Sequence, residues 1–238
     1  GRSGANTIDP PTAYPALTIA DADGAVSGTA VAAVPETVRR VAVTRVGSFN
    51  DACARLRAAA SEAAACVWVR NAVDEAIAAA EALRARGAEV DLLHARFALC
   101  DRQSREMEVL AHFGKDRAPR PGRILVATQV VEASLDLDFD VMVSDLAPIG
   151  ALVQRAGRLW RHMDRRPREA RPVAGPRLDV LSPDPESQPG ERWLDAVLGK
   201  GAFVYPLDVQ WRTAGALFRT GEIVAPEGLR DLIEAVHG

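Results

Sequence analysis

Between residues 40 and 181, short apolar runs alternate with longer segments that mix alanine, leucine and charge. Arg40–Val46 (RVAVTRV) alternates apolar and charged positions, the pattern of a half-buried strand. Phe49–Ala65 predicts a helix, and Cys66–Val69 (CVWV) a short, continuously apolar strand. Asp74–Arg86 predicts a second helix, closed by Gly87, the residue type favoured just past a helix end. Glu89–His94, Arg123–Thr128 (RILVAT), Asp140–Ser144 (DVMVS) and Leu178–Leu181 (LDVL) predict further strands, with helices over Asp101–Phe113 and Ile149–Arg161 between them.

Short β-rich runs alternating with helices imply an α/β fold, a parallel sheet flanked by helices. Residues 1–35, rich in Gly, Pro, Ala and Asp without a sustained period, read as a leader or linker. Residues 36–182 form the predicted α/β lobe. After Pro183 a Pro/Ser/Gly stretch gives way to helix-like segments at 191–198, 208–219 and 227–236, so residues 183–238 read as a small helical accessory tail.

Composition narrows this only slightly. The 238 residues are 48% hydrophobic and 26% charged, enough to bury a core, and no apolar run has the length a bilayer crossing needs. The first residues show no signal-peptide pattern, which makes a cytoplasmic location the default expectation and a membrane partner an unexpected one. Cys53, Cys66 and Cys100 are odd in number and widely spaced, which supports neither a disulfide framework nor a metal site. Net charge is −3, but residues 150–180 hold eight arginines against three carboxylates, a local basic stripe that can bind phosphates.

The chemistry concentrates in that stripe. Gln154–Arg161 (QRAGRLWR) places Arg155, Arg158 and Arg161 three residues apart, so on a continuous helix they would fan along one side. Guanidinium groups meet phosphate oxygens with a planar, permanently charged fork, although such a cluster can also be a solvated helix face. Upstream, in RILVATQVVEASLDLDFDVMVSD (Arg123–Asp145), a strand ends in Thr128 and a polar loop holds Glu132, Ser134 and Asp136. Ligands of open α/β sheets sit at the carboxyl ends of strands, where such groups touch sugar hydroxyls or a nucleic-acid backbone. Asp136, Asp138 and Asp140 can equally cap a turn. His94 ends a strand either beside such a path or as a satisfied structural histidine.

Both motifs, in this order, resemble motifs V and VI of superfamily 2 helicases, with CVWVRNAVDEA (Cys66–Ala76) in the place of motif IV. HARFALCDRQ, FGK, ILVATQVVEASLDLDFDVMVSDLAP and LVQRAGRLWRH look more specifically like the helicase portion of the CRISPR-associated helicase-nuclease of type I systems. The resemblance covers about residues 40–182 and implies a second RecA-like helicase lobe with its tail. It also implies ATP shared with a first lobe and Mg2+ held by that lobe. In such an enzyme single-stranded DNA moves 3′ to 5′, a histidine–aspartate nuclease domain cuts it, and an RNA-guided surveillance complex recruits the whole. By position, Arg158 and Arg161 would contact phosphate, and Arg155 and Glu132 would help bind the nucleotide. Gln154 would position the attacking water and Asp136 would lie beside the nucleotide. Thr128, Arg70, Asn71, Ser134 and His94 would face the DNA. The family usually carries a larger polar residue at the place of Ala133 and bulkier or acidic ones at Gly150 and Ala151, differences that would loosen the arginine-bearing helix.

The same sequence holds no GxxxxGK[ST]: neither Gly114-Lys115 nor Gly199-Lys200 is followed by Ser or Thr. Asp74-Glu75 imitates a magnesium-binding DExx box but reads as acid in a helix's first turn, and no His-Asp dyad occurs. The chain alone is therefore expected to be inactive. Alternatives are a non-catalytic nucleic-acid- or protein-binding module and a lobe of another superfamily 2 helicase.

Overall fold

A computed structural model describes residues 15–116, 120, 122–133, 135–186 and 189–238. Ser134 lies outside these residues. Strands β1 (Ala16–Ala20) and β2 (Val26–Ala30) pair antiparallel around a turn in which the Asp21 carboxylate accepts from the backbone N–H groups of Asp23 and Ala25. Part of the segment expected to be a plain linker is thus a hairpin. ALTIA is too short and too weakly patterned to stand out in the sequence.

The main sheet has seven strands in the order β5-β6-β4-β7-β8-β3-β9. β3 (Arg39–Val46), β4 (Cys66–Val69), β5 (Val90–Leu93), β6 (Ile124–Ala127), β7 (Val141–Asp145) and β8 (Arg177–Leu181) run parallel, and β9 (Glu222–Ala225) closes the edge antiparallel to β3. Parallel strands need crossovers, supplied by α1 (Phe49–Ser61), α2 (Val73–Arg84), α3 (Leu99–Phe113), the single turn α4 (Val130–Ala133) and α5 (Ile149–Ala156). Every residue of β4 and β6 is buried, which is why both read as unbroken apolar runs. Ser48 caps α1 by accepting from the Asp51 N–H, and Gly87 ends α2 at φ +81°.

The segment after Pro183 is helical, with α6 (Asp195–Leu198), α7 (Leu207–Thr220) and α8 (Leu229–His237), and it also contributes β9. α7 packs on β3 and β9 while α8 packs on α7 and α5, so its apolar faces belong to the same core as the sheet.

One departure matters for the chemistry. α5 stops at Ala156, not at Arg161. Leu159 leaves the helix to bridge Phe139, with the Phe139 N–H donating to Arg158 O and the Trp160 N–H donating to Phe139 O. Arg158 and Arg161 therefore sit on a turn beyond the helix, and the expected fan of three arginines along one helix side does not form. A Cβ at Gly150 would meet nothing within 4 Å, so the first turn of α5 has room for the bulkier residue the family carries there.

Candidate nucleotide-contact site

The three arginines of QRAGRLWR have three different surroundings. Arg155, on the last turn of α5, is fully buried. Its Nε donates to Glu132 Oε1 at 2.8 Å, and Nη1 donates to Ser144 Oγ at 2.8 Å and to the Asp145 carbonyl at 3.2 Å. A guanidinium with its donors spent inside the protein cannot also hold a nucleotide, and Glu132 is spent with it. The nucleotide roles expected for these two residues are not met by their placement. Arg155 instead ties α4 and α5 to the end of β7.

Arg158 and Arg161 lie half-buried on the segment that follows. Arg158 donates to the carbonyls of Val131 and Glu132 at 3.1 and 2.6 Å, and Arg161 Nε donates to Asp136 Oδ1 at 2.9 Å. The two side chains thus turn to Val131 and Glu132 of α4 and to Asp136. Arg161 and the Leu159 bridge lie beside the approach to β7, at Asp138 and Phe139. Asp136 also meets His162 Nε2 at 2.9 Å. Burial raises the Asp136 pKa, but His162 and Arg161 together outweigh it and hold the carboxyl below the ordinary aspartate value. A cavity of about 420 Å³ adjoins, lined by Leu110, Gly114, Lys115, Asp116 and Asp136 among others. Gln154 is exposed on α5 one turn before these arginines. Two partly accessible guanidinium groups beside a carboxylate form a donor set that suits a phosphate oxygen and a sugar hydroxyl.

The residues expected to face DNA are mostly inside. Arg70 is 1% exposed, its Nε 2.8 Å from Asp145 Oδ1 and its guanidinium 4.8 Å over the Trp68 ring. Asn71 is held by the Asp145 carboxylate and the Leu146 carbonyl, and Thr128 is 3% exposed. The cover comes from the tail. The turn at Gly199–Phe203 lies over these strand ends, so that a Cβ on Gly201 would touch Asn71 Cβ and Asp145 Oδ2 at 3.4 Å. The Lys200 N–H donates to Glu75 and its Nζ pairs with Asp74 at 2.8 Å. A contact between residues so far apart along the chain leaves no periodic signal in sequence. His94 is 6% exposed and stacked on Phe97 at 3.9 Å, and burial lowers its pKa. It is therefore an enclosed, ring-stacked histidine away from solvent, although its buried Nδ1 finds no hydrogen-bond partner among the described residues.

Sequence reasoning missed a buried charge cluster. Asp138 and Asp140 are fully buried. Arg166 and Arg171 each bridge both carboxylates, at 3.1 and 2.8 Å and at 3.1 and 2.9 Å. Three of the eight arginines of the basic stripe (Arg155, Arg166 and Arg171) are therefore internal, and the phosphate-attracting surface is smaller than composition implies. The alternating acids of LDLDFD were the available signal, but a turn cap explained them equally well. Among the described residues, no three His, Cys, Asp or Glu side chains gather as a metal site would require, and no helix is long and apolar enough to cross a membrane.

Residues 62–164 match the family described as CRISPR-associated nuclease/helicase Cas3, C-terminal. The CRISPR-associated endonuclease/helicase Cas3 of Escherichia coli K12 is 35% identical over 191 residues, covering 77% of this chain and 20% of that protein. The Thermus thermophilus protein of the same description is 45% identical over 152 residues, 63% of this chain and 15% of its own length. The chain thus spans a fifth or less of these relatives. A crystal structure of a CRISPR-associated protein superposes with TM-score 0.83 at 36% identity, over 99% of this chain and 26% of that one. The T. fusca Cas3 structure with ATP superposes with TM-score 0.78 at 30% identity, over 94% and 27%. A pre-nicking CRISPR RNA-guided surveillance complex contains a chain that superposes with TM-score 0.75 at 30% identity, over 94% and 29%.

Proposed function

We infer, from the premise that this chain is the second RecA-like lobe and C-terminal tail of the CRISPR-associated helicase-nuclease family, that it supplies one half of an ATP-driven motor moving 3′ to 5′ on single-stranded DNA. Arg158 and Arg161 are its phosphate-contacting residues. The observation that carries this reading is their convergence, half-exposed, on Val131 and Glu132 of α4 and on Asp136.

Bound ATP supplies a phosphoanhydride whose hydrolysis drives the lobes. The Arg161 guanidinium exchanges its Asp136 partner for a phosphate oxygen, and the freed Asp136 carboxylate accepts from a sugar hydroxyl. Arg158 keeps its hold on the two carbonyls while presenting its remaining edge. Gln154, exposed one turn away, orients water. A first lobe with a Walker A loop would hold the phosphates and Mg2+. The histidine–aspartate nuclease belongs elsewhere in the assembly, and recruitment by an RNA-guided surveillance complex is part of the same proposal, supported by the neighbour found in one.

ATP turnover tests this directly. The chain alone is expected to show none, and adding a Walker A lobe with single-stranded DNA is expected to restore it. Arg158→Ala or Arg161→Ala should then cost about 10³-fold, the usual worth of an arginine finger. Full activity in both variants would refute the assignment. A non-catalytic DNA-binding module is the second reading, carried by the same half-exposed Arg158 and Arg161 acting as backbone-phosphate contacts. It predicts salt-sensitive DNA binding that ATP and the first lobe leave unchanged.

A further inference from the structure

The peptide groups on both sides of the Arg161 side chain are held from distant parts of the fold. The Arg161 N–H donates to Asp138 Oδ1 at 2.8 Å, and its carbonyl accepts from Arg39 Nη2 at 3.2 Å. Arg39 Nη1 also donates to the Gly157 carbonyl at 3.3 Å, so one guanidinium spans the whole segment 157–161. Within it, Trp160 stands at φ +49°, a region that a bulky L-residue occupies only when its surroundings impose it. Those surroundings are visible: the Trp160 N–H donates to Phe139 O at 3.0 Å, and the Arg171 guanidinium lies 4.9 Å over the indole. Asp138 cannot swing away, because Arg166 and Arg171 grip it while both also grip Asp140.

We propose that Arg39 and Asp138 form a two-sided clamp on the main chain of Arg161 and are positioning residues for its contact with phosphate. Arg39 is the first residue of β3, outside both arginine- and aspartate-bearing motifs, and reaches the segment across 118 to 122 positions of sequence. With both flanking peptides fixed, the Cα–Cβ direction of Arg161 is fixed. Only the side-chain torsions then remain to be ordered when a phosphate replaces Asp136. The Arg39 guanidinium also repels that of Arg161, and burial together with this repulsion lowers the Arg39 pKa. The repulsion favours the outward course of the Arg161 side chain toward Asp136.

This inference rests on the reading of Arg161 as a phosphate-contacting residue, and two measurements separate them. Arg39→Met keeps the aliphatic stem and removes the donors, and because those donors meet backbone carbonyls it breaks no ion pair of the buried cluster. Asp138→Asn would do so and risks unfolding. In the chain alone, amide hydrogen exchange across residues 158–162 should quicken about tenfold in Arg39→Met, the loss of roughly one net hydrogen bond of local stability, with β4 and β6 unchanged. Unchanged exchange overturns the clamp.

In the enzyme reassembled with a Walker A lobe, Arg39→Met should lower the DNA-stimulated kcat about tenfold with little change in the KM for ATP, as misplacement of a catalytic group does. In an Arg161→Ala background it should lower kcat no further. An equal loss in both backgrounds would mean that Arg39 does not act through Arg161, and the clamp fails. If Arg161→Ala leaves turnover intact, the phosphate reading falls, while the exchange measurement still judges the clamp.

Discussion

Arg155 and Arg158 are three residues apart in one motif, yet burial gives them different tasks. Arg155 is fully enclosed, and its removal would leave Glu132 facing a cavity without its cation. Arg155→Ala should therefore cost about 3–5 kcal/mol of folding stability, the range for breaking a buried pair. Urea unfolding reads this, and Arg158→Ala should lose far less stability while losing turnover. Stability intact in Arg155→Ala would reverse the two roles. His94 gives a pH signature. Burial lowers its pKa, so the folded state resists a proton that the unfolded chain accepts below about pH 6.5. The unfolded state then binds more protons, and stability should fall as pH drops from about 7 toward about 5.5. His94→Gln should flatten that part of the profile, and an unchanged profile would assign it to another group. The thiols supply a control at the same scale. Cys53 and Cys66 are buried with pKa values raised by burial, whereas Cys100 is exposed, so alkylation at neutral pH should stop at one thiol per native chain.

Element boundaries were the least legible feature, and α5 shows why. Local pattern carries QRAGRLWR on as helix, but Leu159 finds a better partner in Phe139, well upstream, and the helix yields at Gly157. A main-chain bridge to another segment is a tertiary event that no helical periodicity records. By contrast β4, α2 and β6 stand within a few residues of their sequence-read limits, because apolar continuity and a glycine stop are local properties. Gly122 tests how tightly such elements are joined. It stands at φ +68°, and a Cβ would lie 2.2 Å from the Ala60 carbonyl oxygen at the end of α1. Gly122→Ala should cost about 2 kcal/mol or more, since strain and a backbone clash add. Thermal unfolding would show it, and a variant as stable as the parent would mean that the α1 terminus moves freely.

For the whole molecule the decisive feature is that the tail completes the lobe. Ile223 of β9 and Leu217 of α7 are buried against β3 and its neighbours, so ending the chain at Ser182 would expose the β3 edge and an apolar sheet face. That truncation should aggregate or unfold cooperatively at much lower urea, read by size-exclusion chromatography and circular dichroism. A monomeric, equally stable fragment would make the tail an independent appendage. The sequence by itself determined the parallel α/β architecture, the family likeness and which arginines deserved suspicion, because alternation, apolar runs and short motifs are written in neighbouring residues. Only the tertiary structure decided which of those arginines keep access to a ligand. It enclosed Arg155, Arg166 and Arg171, laid the 199–203 turn over Arg70 and Asn71, and left Arg158 and Arg161 at the rim. Solvent access depends on what the rest of the chain packs on top, and those covering residues lie far away along the chain, beyond the reach of any local pattern.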